Sequence, residues 1–346
     1  MSTFSRRTFL HHSAAAAGLV TIGGALLTAC GGDDDDASSA SLDTVTCQLG
    51  WKKLAQFGGH FMAQELGYFE QEGIKAEFLS GGPNIDAFSV VNSGQAMIGD
   101  ANGSGILQES VNGAPVQAFC TIFQQTPNAL MSLKDNPVVT MKELEGKTVA
   151  VPTGEQALID VLVKNAGGDP SKVSYVPVGT DPSILSSGQV DAYIGYGTSQ
   201  GVALQEAGVP VNIVYFGDLG NPDYGNAIFA SRDTIAQKKD VLTRWLRADI
   251  KGWQYAVDHP EEMAQKVWDL YNKETAAKLE DEKKSAVVQV PLITKGVADT
   301  HGLMWIDGDH FETVGQLYQD AGLLKGAVDY SLVFTQEILL AAGAKA

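Results

Sequence analysis

The sequence predicts an α/β protein of two similarly wired lobes, each a mostly parallel sheet flanked by helices, with a helical C-terminal extension. Three observations carry this expectation. From residue 44 onward, short β-branched runs alternate with helical stretches, and strands separated by helices pair in parallel beneath them. A wiring motif occurs twice: Ser93-Gly94-Gln95 leads to Gly113-Ala114-Pro115-Val116, and Ser187-Gly188-Gln189 leads to Gly208-Val209-Pro210-Val211. After Ile228-Phe229-Ala230 the pattern becomes almost purely helical. A length of 346 residues suits two compact units, and an apolar fraction of 44% supplies their cores.

The elements follow in order. The alternation in Val45-Thr46-Cys47-Gln48-Leu49 makes 44–50 a strand, 59–71 a helix and 74–79 a strand. Residues 86–92 form a helix, 96–99 a short strand and 106–111 another helix, ahead of the apolar strand 116–123. The series resumes with strand 148–151, helix 155–166, strand 173–177, helix 182–187, strand 191–194, helix 198–207 and strand 211–216. Amphipathic helices are expected at 233–257, 260–271 and 308–321, with Trp245, Trp253 and Trp268 on their apolar stripes.

Residues 1–29 read as an export signal. Ser5-Arg6-Arg7-Thr8-Phe9-Leu10 is a twin-arginine pattern, and the apolar run after it is too short and too rich in Ala and Gly for a membrane span. The run ends in Leu27-Thr28-Ala29-Cys30, which resembles a bacterial lipobox, so Cys30 is the expected lipidation site. Residues 30–43 hold four consecutive Asp between Gly and Ser, a solvated tether.

Charge and cysteines narrow the function. A net charge of −17 argues against nucleic acid as partner, because phosphate backbones need clustered Lys and Arg. Cys47 and Cys120 lie in apolar strand-like runs, where a free thiol behaves as a small hydrophobe. No spacing of Cys or His suggests a metal. No Gly-Lys-Ser/Thr follows the Gly-rich segments, so a phosphate loop is unsupported.

Several stretches together carry a family resemblance. They are Trp51 with Ala55-Gln56-Phe57-Gly58-Gly59 and Ala63; Glu65-Leu66-Gly67-Tyr68-Phe69; Asn92-Ser93-Gly94-Gln95-Ala96; Lys142-Glu143-Leu144-Glu145-Gly146-Lys147; Gly188-Gln189-Val190-Asp191-Ala192; and Asp258-His259-Pro260-Glu261-Glu262. Over 44–321 the chain resembles the extracytoplasmic substrate-binding proteins of ABC importers. The branch is the one that binds thiamine pyrimidine precursors, riboflavin, sulfonates, taurine and nitrate. The resemblance implies a type II periplasmic-binding-protein fold: lobe 1 from 44–127 and 229–346, lobe 2 from 128–228, with crossings near 124–132 and 226–231. It also implies a small-molecule ligand, a permease with its ATPase as partners, a lipid anchor in the membrane, a monomer, and no cofactor or catalysis. The pyrimidine binders of the branch carry a His six residues after the Trp; here that position is Phe57, and His60 lies three residues further on.

In open α/β sheets, ligands sit beyond the carboxyl ends of strands. The loops in question are 51–57, 81–86, 100–105, 123–128, 153–156, 179–182, 193–199 and 216–226. Only the first holds cations, Lys52 and Lys53, whereas the set holds six carboxylates and several aromatic rings. An acidic rim opposes anions; rings stack on flat ligands, and carboxylates accept amine hydrogens. The expected ligand contacts are Trp51, Phe57, Asn84, Asp100, Asn102, Gln124, Thr153, Glu155, Asp191, Tyr193, Tyr196 and Tyr224. The expected ligand is a small aromatic heterocycle such as a thiamine pyrimidine precursor. A riboflavin-type or sulfonate, taurine or nitrate ligand is the alternative within the family, and a pyrimidine-forming enzyme the alternative of another class.

Overall fold

The computed structural model describes residues 41–345; the expected export signal, Cys30 and most of the acidic tether lie outside them. Ten strands run in chain order: β1 Asp43–Gln48, β2 Ile74–Leu79, β3 Ile98–Ala101, β4 Val116–Phe123, β5 Asn128–Leu133, β6 Thr148–Pro152, β7 Ser174–Val178, β8 Ala192–Tyr196, β9 Val211–Tyr215 and β10 Gly225–Ser231. They form two five-stranded sheets, ordered β2-β1-β3-β10-β4 and β7-β6-β8-β5-β9. In each sheet the fourth strand runs antiparallel to its neighbours, β10 to β3 and β4, and β5 to β8 and β9. The strands joined by helical crossovers are parallel.

The doubled wiring motif has a physical basis. Gly94 and Gly188 adopt φ of +75° and +70°, and Gly113 and Gly208 adopt +86° and +75°. Each glycine ends a helix in the left-handed conformation that only Gly takes without strain. The next N–H then closes the turn on the carbonyl five residues back: Gln95 on Val90, Gln189 on Ile184, Ala114 on Glu109 and Val209 on Leu204. The two lobes thus share helix ends as well as strand order.

Two strand expectations, 74–79 and 116–123, coincide with β2 and β4. Other elements differ. The helix expected at 59–71 breaks at Gly67, φ +70°, into Gly58–Glu65 and Tyr68–Gln71. The one expected at 233–257 breaks at Lys238 into Arg232–Gln237 and Lys239–Asp258. β5 was not expected; its Ala, Met and Ser lack the β-branched signature, and burial between β8 and β9 holds it extended. The second crossing spans 216–224, upstream of 226–231, because Gly225 already pairs with Phe123 in the first sheet. The lobe border expected at 228/229 therefore falls inside β10.

Trp245 and Trp253 are fully buried in the first lobe's core, while Trp268 is half-buried and donates its Nε1–H to the Ala277 carbonyl at 2.9 Å. Cys47 and Cys120 are buried free thiols, pushed well above their ordinary titration range by burial. Two C-terminal helices span both lobes. Helix Gly308–Asp320 places Phe311 and Val314 in the first lobe's core and Leu317 in the second's. Helix Leu279–Thr294 hydrogen-bonds Ala55 of the first lobe through Glu282 and Gln289, and the Thr198 carbonyl of the second through Ser285. Among the described residues, no helix is long and apolar enough to cross a membrane.

Candidate ligand-binding cleft

A cleft of about 700 Å³ opens between the lobes, within the 300–1,000 Å³ typical of small-molecule sites. The ends of β1, β3, β6 and β8 supply much of its wall, and helix Leu279–Thr294 supplies Glu282, Ser285 and Gln289. The parallel strands of both sheets thus aim their carboxyl ends at one space.

The first lobe's wall is tightly laced. The Gly81 N–H donates to the Trp51 carbonyl at 2.8 Å, and a Cβ on Gly81 would lie 2.3 Å from the Leu49 oxygen, so only glycine permits this approach. Trp51 is half-buried at the rim of the cleft. Asp100, the penultimate residue of β3, has 2% of its surface exposed. Its Oδ1 accepts from Asn226 Nδ2 at 2.7 Å, and Asn226 Oδ1 accepts from Gln56 Nε2 at 2.9 Å. Asn226 holds this position from a left-handed backbone, φ +57°, which Asn tolerates better than most residues. The other oxygen, Asp100 Oδ2, is buried without a partner. Burial pushes Asp100 from its ordinary 3.8 to about 7, against the pull of His60, Asn226 and the Gly50 N–H.

The second lobe contributes Glu155, Tyr193 and Tyr196. Glu155 Oε2 is also buried and unpartnered, and burial, then the charge of Asp223, raises Glu155 to about 7. The Tyr193 hydroxyl is anchored, donating to the Gly179 carbonyl at 2.8 Å. The Tyr196 hydroxyl reaches across the lobes to Asn102 Oδ1 at 3.5 Å. Burial pushes the Tyr196 phenol upward, and Asp100 and Glu155 both add to the shift. That ring therefore stands within the field of a carboxylate from each lobe.

The cleft thus gathers Trp51, Asp100, Asn102, Glu155, Tyr193 and Tyr196 of the expected contacts. The other six do not line it. Phe57 is fully buried and lies parallel to the His60 ring, leaving no face for a ligand. Asn84 and Thr153 are exposed. Gln124 is buried and donates to the Trp305 carbonyl at 3.0 Å. Asp191 accepts from the Thr148 N–H at 2.8 Å and Asn136 at 3.0 Å, with Lys147 at 3.6 Å; it fastens β6 to β8. Tyr224 stacks on His310, and its hydroxyl accepts from the Asp307 N–H at 2.8 Å.

Sequence reasoning missed the third wall. Glu282, Ser285 and Gln289 fall at i, i+3 and i+7 on one helix, the signature of a single face, and that face is polar yet largely buried. A polar stripe on an otherwise mixed helix was the available signal. Among the described lining residues, Asp86, Asp100, Glu155 and Glu282 face one cation, the exposed Lys52. Such a wall attracts cations and N–H donors and repels anions.

Comparison with known proteins agrees with the geometry. The profile of a protein family described as NMT1/THI5 like matches residues 55–263. The riboflavin-binding protein RibY of Chloroflexus aurantiacus is 24% identical over 305 residues, covering 86% of this chain and 87% of that protein. The formylaminopyrimidine-binding protein of Halalkalibacterium halodurans is 25% identical over 227 residues, covering 64% and 69%. A relative from Legionella pneumophila, 26% identical over 224 residues and covering 63% and 71%, is named 4-amino-5-hydroxymethyl-2-methylpyrimidine phosphate synthase. The periplasmic aliphatic sulphonate binding protein SsuA of Escherichia coli has the same fold, with a TM-score of 0.63 at 14% identity, covering 86% of this chain and 93% of that one. The two lobes are therefore those of the type II periplasmic-binding-protein fold.

Proposed function

Since the chain belongs to the NMT1/THI5-like family, we propose that it is the solute-binding component of an ABC importer and captures a small aromatic heterocycle of the aminopyrimidine kind. The observation that carries this reading is the pairing of tyrosine and tryptophan side chains with unsatisfied carboxylates in one inter-lobe cleft. Rings stack on such faces, and amino hydrogens satisfy such oxygens. Closure of the lobes on the ligand would shift an open–closed equilibrium and present a composite surface to the permease. The formylaminopyrimidine-binding relative supports the ligand class.

A flavin is the second reading, favoured by the coverage of nearly the full length of RibY. The enzyme reading rests on relatives that bear the synthase name. We further infer that residues 1–29 direct export and that lipid on Cys30 holds the protein, as a monomer, at the outer face of the cell membrane. The order of twin arginine, apolar run and lipobox supports this. Cys30→Ser should release the protein from membranes; retention of the variant would remove the anchor.

The test of function is a thermal-shift panel on the purified protein. It would contain 4-amino-5-hydroxymethyl-2-methylpyrimidine, thiamine, riboflavin, taurine, an alkylsulfonate and nitrate. A ligand at about 100 times its Kd adds ~2.7 kcal/mol, enough to raise the Tm by several degrees. A shift with the aminopyrimidine is expected. A shift confined to riboflavin selects the second reading, and one confined to sulfonate or nitrate overturns the acidic-wall argument.

A further inference from the structure

We propose that the cleft selects a ligand presenting N–H donors on two separated edges, one to Asp100 and the other to Glu155, so that the ligand itself ties the lobes together. This rests on the solute-binding reading and specifies its substrate class: an amino-substituted, ring-protonated heterocycle rather than a flavin or an organic anion.

Of the four carboxylates on the wall, two serve the fold. Asp86 caps helix Ala87–Asn92, accepting from the Phe88 N–H at 3.1 Å and from the Ser89 hydroxyl. Glu282 Oε2 accepts from the Ala55 N–H at 2.6 Å. Asp100 and Glu155 differ, because each keeps one oxygen buried and without a partner. Leaving a buried acceptor unmet is costly, so each is a position where a donor from outside would be favoured.

These two oxygens belong to different lobes. Asp100 lies one residue from the end of β3 in the first sheet, and Glu155 follows β6 of the second. A ligand lying between the lobes would meet them with donors on different edges. Tyr196, whose phenol feels both charges, lines the same cleft. Asp100 is also held in place by the relay from Gln56 through Asn226, so it cannot swing away to find another partner. Lys52, the cation of the wall, is exposed and makes no ion pair with either carboxylate.

Candidate ligands then sort by donor pattern. A 4-aminopyrimidine protonated on its ring offers an exocyclic amine and a ring N–H at separate positions. An isoalloxazine has one ring N–H, flanked by carbonyls, and a methylated benzene edge that donates nothing. A sulfonate offers acceptors only and would meet two carboxylates.

Isothermal calorimetry with four probes tests this: 4-amino-5-hydroxymethyl-2-methylpyrimidine, its N,N-dimethylamino analogue, riboflavin and 1,4-diaminobutane. Wild-type protein should bind the amino compound at least ~10-fold more tightly than the dimethylamino compound. Asp100→Asn and Glu155→Gln should each weaken the amino compound ~10-fold or more, and the variant at the carboxylate that meets the exocyclic amine should also nearly abolish that preference. Equal affinity for the two pyrimidines, or unchanged affinity in both variants, would overturn the inference while leaving a heterocycle-binding function intact. Heat from no probe would instead sink the heterocycle-binding reading. If Asp100→Asn fails to fold, the probe pair on wild-type protein and the Glu155→Gln variant decide. Tighter binding of 1,4-diaminobutane than of the pyrimidine would keep the two-carboxylate tie but overturn the planar ring.

Discussion

His60 Nδ1 lies 2.7 Å from Asp249 Oδ1, and neither side chain has any surface open to solvent. His60 sits on helix Gly58–Glu65 and Asp249 on helix Lys239–Asp258, so the contact pins the C-terminal region to the first helix after β1. Phe57, Phe78, Trp245 and Trp253 surround the imidazole. Burial raises the Asp249 carboxyl, while His60 draws it back. Removing one partner strands the other in an apolar shell. Asp249→Ala should therefore cost ~3–5 kcal/mol. Urea unfolding should show the double variant His60→Leu/Asp249→Leu closer to wild type than either single change; equal or worse stability of the double would mean the pair is not an isolated unit.

The same two helices meet through glycines. A Cβ on Gly252 would lie 2.2 Å from the Gly59 carbonyl oxygen, and one on Gly59 would lie 2.1 Å from Trp253 Cδ2. Backbone cannot yield as a flexible side chain can. Gly252→Ala should lower unfolding free energy by ~3 kcal/mol or more, at the upper end of overpacking costs. A loss below ~1 kcal/mol by chemical denaturation would show that the helices can separate cheaply.

Ligand-free stability should fall as pH rises from 5 to 8. Asp100 and Glu155 titrate near 7 in the fold, and Asp223 near 6, against ordinary values near 4. Between about pH 4 and 7 the folded state keeps protons that the unfolded chain has released, so stability declines through that window. For Asp100 the effect is at most ~4 kcal/mol, at 1.36 kcal/mol per pH unit. Carboxylates held below their ordinary range, such as Glu143 and Asp191, are fully ionised throughout and contribute no slope here. Tm measured across pH 5–8 should fall for wild type and fall less steeply in Asp100→Asn; a rising wild-type curve would contradict the burial argument.

Trp51→Ala should weaken binding of the aminopyrimidine by ~1–3 kcal/mol through lost ring contact and leave the Tm within about two degrees, since the ring is only half-buried. Unchanged affinity in calorimetry would remove Trp51 from the site.

Asp191→Asn should do the reverse. Its carboxylate is engaged with Thr148, Asn136 and Lys147, away from the cleft wall. Stability should drop by ~1–2 kcal/mol with ligand affinity unaltered. A selective loss of affinity would mean that β6 and β8 transmit strain to Glu155 and Tyr193.

Much of the fold was readable because it is written in local pattern. β2 and β4 announce themselves by apolar and β-branched runs, and the Ser-Gly-Gln glycines by the left-handed turns they permit. β5 was not readable, since Asn128–Leu133 is extended by its two neighbours rather than by its own composition. The cleft was half legible. Strand-end loops located Trp51, Asp100, Glu155 and Tyr196, but loop membership cannot tell Tyr224, stacked on His310, from Tyr196, which faces the cavity. Glu282, Ser285 and Gln289 escaped because their helix lies more than 50 residues beyond the last predicted loop, and nothing local shows which lobe a distant helix will cover.

The placement of β10 dictates the order in which the molecule can be assembled. Gly225 pairs with Phe123, and the entire second sheet is threaded between them. That sheet draws on one continuous stretch, β5 to β9, and can close its loops early. The first sheet must wait. Until residue 225 arrives, β3 and β4 are separated by a gap one strand wide, each with a bare edge open to pairing with another chain. A chain interrupted at 216–224, after β9, would hold every strand of the second sheet and leave the first with two bare edges, an aggregation hazard.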